Sequence, residues 1–366
     1  MPLKTYIFTN REFTRGENQM ISFVNDYSEN ACPEILSALL QTELEKNSPY
    51  SSDIHSKRAT ELIRNKIQCP DAEIQILMGG TQTNLIAACA FLRPHEAIIA
   101  VTTGHIAVHE TGAIEGTGHK VIEVYGENGK ITVADIEKIC GPQHWDHAGI
   151  LTVKPRMVYI SQCTEVGTVY SKKDLLDIRK VCDKYNLLLY CDGARLGSAL
   201  DCSDVTLPFL AQVCDAFYIG GTKNAALFGE ALIVVKDELK PEFRYIAKQR
   251  GGMLAKGWLL GLQFEILMQN NLYEKYGKHS NDMAKILKMG LKELGIRFSV
   301  NSPSNQLFPI FPNVLLEQLQ KEYSWEVINI VDGENTEIRL VTSWSTKEEE
   351  IRAFLNSVKT YIELMK

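Results

Sequence analysis

The stretch DAFYIGGTKNAALFGEALIVV, residues 215–235, contains two apolar runs separated by a loop that carries a single lysine. The runs at 216–219 and 231–235 are typical of buried β-strands. Lys223 follows two glycines and Thr222, immediately after the first run. Lysine side chains are ordinarily solvated surface charges. A chemical role for Lys223 therefore needs support from the rest of the chain.

Around this stretch, predicted strands and helices alternate between residues 74 and 235. Two of the predicted helices begin with a capping pair, Thr132 with Asp135 and Ser171 with Asp174. The alternation predicts an α/β fold with right-handed crossovers, a mainly parallel sheet and helices on both of its faces. Further strands are predicted at 73–78, 96–102, 120–126, 156–161 and 187–193.

The pattern changes after about residue 240. A long helix is predicted from about 249 to 276, a strand at 336–344 and an amphipathic terminal helix at 346–365. We therefore predict three parts, which are an N-terminal segment (1–30), a large α/β domain (31–250), and a long connecting helix with a small C-terminal α+β domain (251–366).

Composition excludes several classes of protein. The 366 residues carry a net charge of −6 and contain no basic run, which argues against nucleic acid as the main partner. No segment approaches the ~18 consecutive apolar residues of a membrane span. The first twenty residues lack the apolar core of a signal peptide, so we expect a cytoplasmic protein.

The nine cysteines are scattered and form no C-x-x-C pair, which favours buried reduced thiols. The segment CGPQHWDH (140–147) offers Cys140, His144, Asp146 and His147 as metal ligands. It lacks a second ligand cluster at zinc-finger spacing. We therefore predict no metal site.

Open α/β sheets bind ligands beyond the carboxyl ends of their strands, and several candidate groups follow such ends. Gly79, Gly80 and Thr81 lie between a strand and a helix, where backbone N–H groups can hold an anion; a plain turn is the alternative. Asp192 ends a strand in YCDGARLG (190–197), and burial of its carboxylate requires a cationic partner. That partner is either Arg195, three residues later, or a protonated ring nitrogen.

Lys223 and His105 complete the set, although a histidine just past a strand is more often a core or surface residue. An anion cradle, a strand-end carboxylate and a strand-end lysine in this order match the needs of pyridoxal 5′-phosphate. The cradle takes the phosphate, and Asp192 keeps the pyridine nitrogen protonated. Lys223 forms the Schiff base, because a desolvated site lowers the pKa of the amine.

The sequence resembles the threonine aldolase family, which belongs to the β-eliminating lyase type of fold-type I pyridoxal phosphate enzymes. The most specific pair is DGARL with a lysine about thirty residues later. The matching segments run in family order over most of the chain. They are NDYSENACPEI (25–35), GGTQTNL (79–85), GHIAVHETGAIE (104–115), TEVGTVYS (164–171), CDGARLGSAL (191–200), GGTKNAALFGEALIV (220–234) and IRLVTSW (338–344).

The resemblance implies a role for each matching residue. Lys223, Asp192 and His105 would be catalytic, with His105 stacked on the cofactor ring and near the substrate hydroxyl. The implied cofactor contacts are Gly79, Gly80, Thr81, His105, Asp192, Arg195, Thr222 and Lys223. The implied substrate contacts are Arg195 and Arg339 at the carboxylate, with Ser28 or Asn25 lining the same pocket.

The implied activity is the splitting of a β-hydroxy-α-amino acid, threonine or allo-threonine, into glycine and an aldehyde. His105, or a water that it positions, would take the β-hydroxyl proton. The alternatives are another pyridoxal phosphate-dependent β-eliminating lyase or an aminotransferase, and a non-catalytic protein that binds pyridoxal phosphate or an amino acid. Two departures from the family are Asn25-Asp26-Tyr27 in place of S-D-N, and NAALFGEALI in place of a glycine-rich stretch.

The resemblance also implies a homo-oligomer, a dimer or tetramer with active sites at the dimer interface. Arg250 or Lys256 would then reach the phosphate of the neighbouring chain. The segment RYIAKQRGGMLAKGW (244–258) is more apolar than a solvent-facing helix requires. An intramolecular core face is the alternative explanation for that segment.

Overall fold

The computed structural model describes residues 20–141 and 149–365. Its centre is a seven-stranded sheet in the order β2-β8-β7-β6-β5-β3-β4. Only β8 runs antiparallel to its neighbours, so the sheet is mainly parallel, as predicted. The strands are β2 (Glu73–Leu77), β3 (Glu96–Val101), β4 (Val121–Val124), β5 (Lys154–Ser161), β6 (Leu188–Asp192), β7 (Ala216–Gly220) and β8 (Glu230–Val234).

Helices cover both faces of this sheet, and a separate apolar core lies on each face. The predicted capping pairs are confirmed, because the backbone N–H of Asp135 donates to Thr132 and that of Asp174 donates to Ser171. The helices of this part are Pro33–Gln41, Ile54–Ile67, Gly80–Phe91, His105–Val108, Val133–Cys140, Lys172–Lys184, Leu196–Cys202, Leu207–Val213, Phe243–Gln249 and Trp258–Leu267. Short 3₁₀ turns lie at Glu115–Thr117, Glu127–Gly129, Gly149–Leu151 and Asp237–Leu239.

A smaller sheet with its own apolar core forms the C-terminal part. Its strands are β9 (Arg297–Phe298), β10 (Gln306–Leu307), β11 (Pro309–Pro312), β13 (Glu326–Ile330) and β14 (Asn335–Val341). The helices here are Leu272–Glu293, Asn313–Leu319 and Glu348–Leu364. The N-terminal strand β1 (Ile21–Ser22) pairs with β12 (Tyr323–Ser324), which ties the start of the described chain to this part.

The single helix predicted over 249–276 is wrong. The structure has a helix end at Gln249, a new helix at Trp258–Leu267 and a third that begins at Leu272. Gly251 interrupts the first junction with φ +76°, in the left-handed region that glycine adopts without a steric penalty. Asn270 and Asn271, with φ 51° and 55°, interrupt the second.

All nine cysteines lie in the described ranges as free thiols; five of them are buried, as predicted, and Cys69, Cys89, Cys140 and Cys202 are half-buried. Within those ranges no group of three or more potential ligands is arranged to hold a metal ion. Most of the segment 140–147 lies outside the described residues. None of the described helices has the length and apolar character that crossing a membrane requires.

Candidate active site

A cavity of about 490 Å³ opens at the carboxyl ends of β6 and β7 and reaches the start of the helix Gly80–Phe91. The sheet topology assembles it, because parallel neighbours end at one edge and β8 returns antiparallel beside them. It is lined by Tyr27, Met78, Gly79, Gly80, Thr81, His105, His109, Glu165, Asp192, Ala194, Arg195, Tyr218, Thr222, Lys223, Phe228, Glu230, Glu326 and Arg339.

Asp192 ends β6 at the cavity wall and is 3% exposed. Its Oδ1 accepts hydrogen bonds from the Tyr218 hydroxyl (2.5 Å) and the Ala194 N–H (3.0 Å). Its Oδ2 accepts from the Tyr159 hydroxyl (2.6 Å) and from Asn84 Nδ2 (3.1 Å). Burial alone would raise the pKa of Asp192, but the charge of His105 and these donors lower it. The carboxylate is therefore ionised at neutral pH.

His105 stands beside Asp192 and is oriented by a buried glutamate. Its Nδ1 lies 2.7 Å from Glu110 Oε1, which also accepts from Asn84 Nδ2 at 2.7 Å. Burial would lower the pKa of His105, but the hydrogen bond that its ring donates to Glu110 and the charges of Asp192 and Glu110 raise it. Nε2 is the ring nitrogen without a hydrogen-bond partner in the described part of the chain.

Lys223 lies half-buried in the loop between β7 and β8. Its Nζ has no hydrogen-bond acceptor or ion-pair partner among the described residues, and the ring of Tyr27 lies 5.7 Å away. Burial, followed by the charge of Arg195, lowers the pKa of Lys223 against the opposing charges of Asp26, Asp192 and other acids. The loop thus holds an amine whose charged form is less stable than that of an exposed lysine.

Glu230 is the first residue of β8 and accepts hydrogen bonds from the loop that carries Lys223. Its Oε1 accepts from the Thr222 hydroxyl (2.7 Å) and its Oε2 from the Gly221 N–H (3.1 Å). Burial raises the pKa of Glu230 to about 8, although Thr222 and the charge of Lys223 oppose that rise. Glu230 and Thr222 together fix the backbone on which Lys223 is mounted.

The residues of the predicted anion cradle lie at the start of the helix Gly80–Phe91. Gly79 is its N-cap, and within the described residues no side chain caps the helix. A Cβ built on Gly79 would meet nothing of the described chain within 4 Å, whereas one on Gly80 would lie 3.1 Å from the Tyr218 hydroxyl. An uncapped first turn leaves backbone N–H groups available to an anion.

The two predicted arginines differ in how they are held. Arg195 Nε and Nη2 donate to the two oxygens of Asp26 at 2.7 and 3.0 Å, and Asp26 also accepts from Asn305 Nδ2 at 2.9 Å. Arg339 pairs with Glu326 at the cavity wall, and its buried Nε has no partner among the described residues. Two of the three guanidinium nitrogens of Arg195 are thus already hydrogen-bonded, while Arg339 Nε can still donate, because no described residue accepts from it.

The other predicted residues lie outside the cavity lining. Ser28 Oγ donates to Asn25 Oδ1 at 2.8 Å, and Tyr27 of the same turn lines the cavity instead. Arg250 and Lys256 are exposed, and the Arg250 carbonyl accepts from Gln82 Nε2 at 3.4 Å near the cradle. The substrate and neighbouring-chain contacts assigned to these four residues stay predictions.

The residues present fit pyridoxal phosphate. The cavity combines a buried ionised carboxylate, an amine without a partner among the described residues and an uncapped helix start. Four donors already fill the roughly four lone-pair sites of the Asp192 carboxylate. A protonated ring nitrogen would therefore share an oxygen with Tyr159 or Tyr218, whose hydroxyl hydrogens can rotate.

Sequence reasoning missed the acids of the site. Asp26, Glu110, Glu165 and Glu230 all lie within the quoted segments, and each of the first three also has a partner that is distant in sequence. Asp26 is 169 residues from Arg195. Only Glu230 carried a local signal, because a glutamate that opens a buried strand requires a partner.

Comparison with known proteins agrees with this geometry. The family described as beta-eliminating lyase matches residues 23–309. A threonine aldolase structure from Leishmania major has 46% identity and a TM-score of 0.91, over 93% of this chain and 99% of that one. A low specificity L-threonine aldolase from Pseudomonas aeruginosa is 29% identical over 92% of this chain and 96% of its own length.

The fold and the site define a fold-type I enzyme. An aspartate aminotransferase from Thermus thermophilus shares that fold at 15% identity and a TM-score of 0.68, over 94% of this chain and 92% of that one. The chain belongs to the beta-eliminating lyase family. Its resemblance to threonine aldolases, predicted from the quoted motifs, is confirmed.

Proposed function

We propose that this protein is a pyridoxal phosphate-dependent lyase that cleaves threonine or allo-threonine to glycine and acetaldehyde. The observation that carries the proposal is the single cavity in which Lys223 faces the acids and arginines of the site without a partner among the described residues. The similarity to the Leishmania major and Pseudomonas aeruginosa threonine aldolases supports this choice of substrate.

Several residues would hold the cofactor. Lys223 would hold it covalently, Asp192 would bind its ring nitrogen, and His105 would stack on the ring. Gly79, Gly80, Thr81 and Thr222 would surround the phosphate. When bound, pyridoxal phosphate supplies an electron sink for the bonds at the substrate Cα.

The chain itself would bind and orient the amino acid. Arg339 and Nη1 of Arg195, which has no hydrogen-bond partner among the described residues, are the donors we assign to the substrate carboxylate, because a charge-assisted pair fixes orientation as well as charge. That grip would orient the Cα–Cβ bond for cleavage. His105 Nε2 would contact the β-hydroxyl, and Asn25 or Ser28 would line the carboxylate side.

We propose further that the protein is a cytoplasmic homo-oligomer with active sites shared between chains. The exposure of Arg250 and Lys256, with Arg250 next to the cradle, supports a role for either in holding the phosphate of a neighbouring chain. Light scattering of the cofactor-loaded protein should then give at least a dimer. A monomeric mass at full activity would contradict the shared site.

The test of function uses the four threonine stereoisomers. We expect at least one of them to release acetaldehyde and glycine in equal amounts, and Lys223→Ala to abolish the release. A keto acid in place of aldehyde would identify an aminotransferase, and ammonia with a keto acid would identify an eliminating lyase. Cofactor binding without turnover of any isomer would indicate a non-catalytic binder.

A further inference from the structure

Glu165 is a cavity residue that is held by only one of its two carboxylate oxygens. Its Oε1 accepts hydrogen bonds from Ser161 Oγ (2.6 Å) and from the backbone N–H of His105 (3.0 Å). Its Oε2 is buried and has no hydrogen-bond partner among the described residues. Such an atom has lost its solvation without compensation. A ligand donor is the natural partner for it.

The surroundings of Glu165 favour a proton acceptor. It forms no ion pair within the described residues, although Lys223 and Arg339 line the same cavity. Burial and the charge of Asp192 raise the pKa of Glu165, while Ser161 and His105 oppose the rise. A carboxylate whose pKa is raised accepts a proton more readily than an exposed one.

His105 is less suited to that task. Its Nδ1 is bound to the buried Glu110 at 2.7 Å, and the pKa of the imidazole is raised. An imidazole that retains both ring protons donates hydrogen bonds and does not accept a proton. A second group is therefore needed to receive the hydroxyl proton, and Glu165 is fixed to the His105 backbone.

We propose that Glu165 Oε2 accepts a hydrogen bond from the β-hydroxyl of the substrate and takes its proton as the Cα–Cβ bond breaks. This assignment rests on the proposed function. The O–H pair becomes the second bond of the aldehyde carbonyl, and the Cα–Cβ pair stays with the glycine fragment. A proton then returns to Cα, so the reaction is redox-neutral and no co-reactant is consumed.

The central test compares threonine cleavage, which requires the β-hydroxyl, with hydrogen exchange at the glycine Cα, which does not. In cofactor-loaded Glu165→Gln, we expect threonine cleavage to fall at least about 10²-fold, within the range for loss of a general base. Exchange of the glycine Cα hydrogen with deuterated water, followed by NMR, should stay within about threefold of wild type. The affinity of the cofactor-free variant for pyridoxal phosphate should also be unchanged.

Glu127→Gln is the matched control, because Glu127 is an exposed glutamate outside the cavity lining. It should leave cleavage, exchange and cofactor affinity at wild-type values. Retained cleavage in Glu165→Gln overturns the assignment, and so does a parallel loss of cleavage and exchange, which would mark a structural role. If the wild type itself releases no aldehyde, the proposed function fails independently of Glu165.

A second variant keeps the test decisive if Glu165→Gln does not fold. Ser161→Ala removes one donor from Oε1 and leaves the charges of Asp192 and His105 in place. Loss of a donor to the carboxylate raises its pKa. The acid limb of the pH profile for cleavage should therefore move to higher pH. An unchanged acid limb would contradict the assignment.

Discussion

Lys223 and Arg195 are two basic side chains of one cavity, and their surroundings shift their pKa values in opposite directions. Arg195 is 11% exposed and makes two hydrogen bonds to Asp26, which is 1% exposed. Lys223 has no acceptor for its Nζ in the described part of the chain. Burial lowers the pKa of Lys223, whereas burial at Arg195 is outweighed by the charge and hydrogen bonds of Asp26 together with other nearby acids, so the pKa of Arg195 is raised.

The difference separates two uses of a buried cation. A paired guanidinium stays charged and fixed, which suits the binding of an anion. An ammonium without a partner is destabilised relative to its neutral amine, and the neutral amine is the nucleophile. The loop after β7 therefore holds a group suited to covalent chemistry, and the loop after β6 holds one suited to recognition.

The largest expected effect follows the replacement of Lys223, the cation without a partner among the described residues. Lys223→Ala should lose the visible absorbance of bound cofactor and at least about 10⁴-fold of activity, in the range seen when a nucleophile is removed. Borohydride reduction of the wild type followed by peptide mapping should label Lys223. A label on a different lysine would show that Lys223 does not carry the cofactor, and that its lack of a partner among the described residues is unrelated to covalent chemistry.

Local sequence signals were enough to predict this residue and the frame around it. The two apolar runs and the order of strands and helices depend on neighbours in sequence, and they appear as β7, β8 and the parallel sheet. Asp26 was missed as the partner of Arg195 because the two lie 169 residues apart. The helix over 249–276 was mispredicted because apolar periodicity outweighed Gly251 and two asparagines with positive φ.

The second prediction concerns the ion pair between Asp26 and Arg195. Asp26→Asn leaves the buried Arg195 without its counter-charge, which should lower the free energy of unfolding by about 3–5 kcal/mol. The charge of Arg195 lowers the pKa of Asp26 against burial, so this stabilisation is present above pH 3.8 and is lost as the pH falls through the folded pKa.

Denaturant unfolding at pH 7 and at pH 3 measures the effect of Asp26→Asn. The destabilisation should be large at pH 7 and smaller at pH 3. Glu43→Gln, at an exposed carboxylate, should change neither value. Equal losses at both pH values would mean that packing, and not the charge of Asp26, stabilises the N-terminal segment.

The third prediction concerns the acid that Lys223 faces across the cavity. Asp192→Asn preserves volume and removes the charge that would keep the cofactor ring protonated, so turnover should fall about 10²-fold, or about 2.7 kcal/mol. Tyr218→Phe removes one of its four donors and should cost less, about tenfold. Steady-state kinetics with a saturating substrate compare the two. Near-normal turnover of Asp192→Asn would assign Asp192 a structural role.

The last prediction concerns Glu230, which supports the Lys223 loop without contacting the lysine amine in the described structure. Burial raises the pKa of Glu230 to about 8, so the folded protein holds a proton there that the unfolded chain releases near pH 4.5. Stability should therefore decline as the pH rises between these two values, by at most about 1.4 kcal/mol per pH unit.

Glu230→Gln keeps a neutral, hydrogen-bonding side chain and should remove that decline. The melting temperature of the cofactor-free variant minus that of the wild type should grow from pH 5 to pH 8. A constant difference would mean that Glu230 stays ionised, and Lys223 would then have a counter-charge after all.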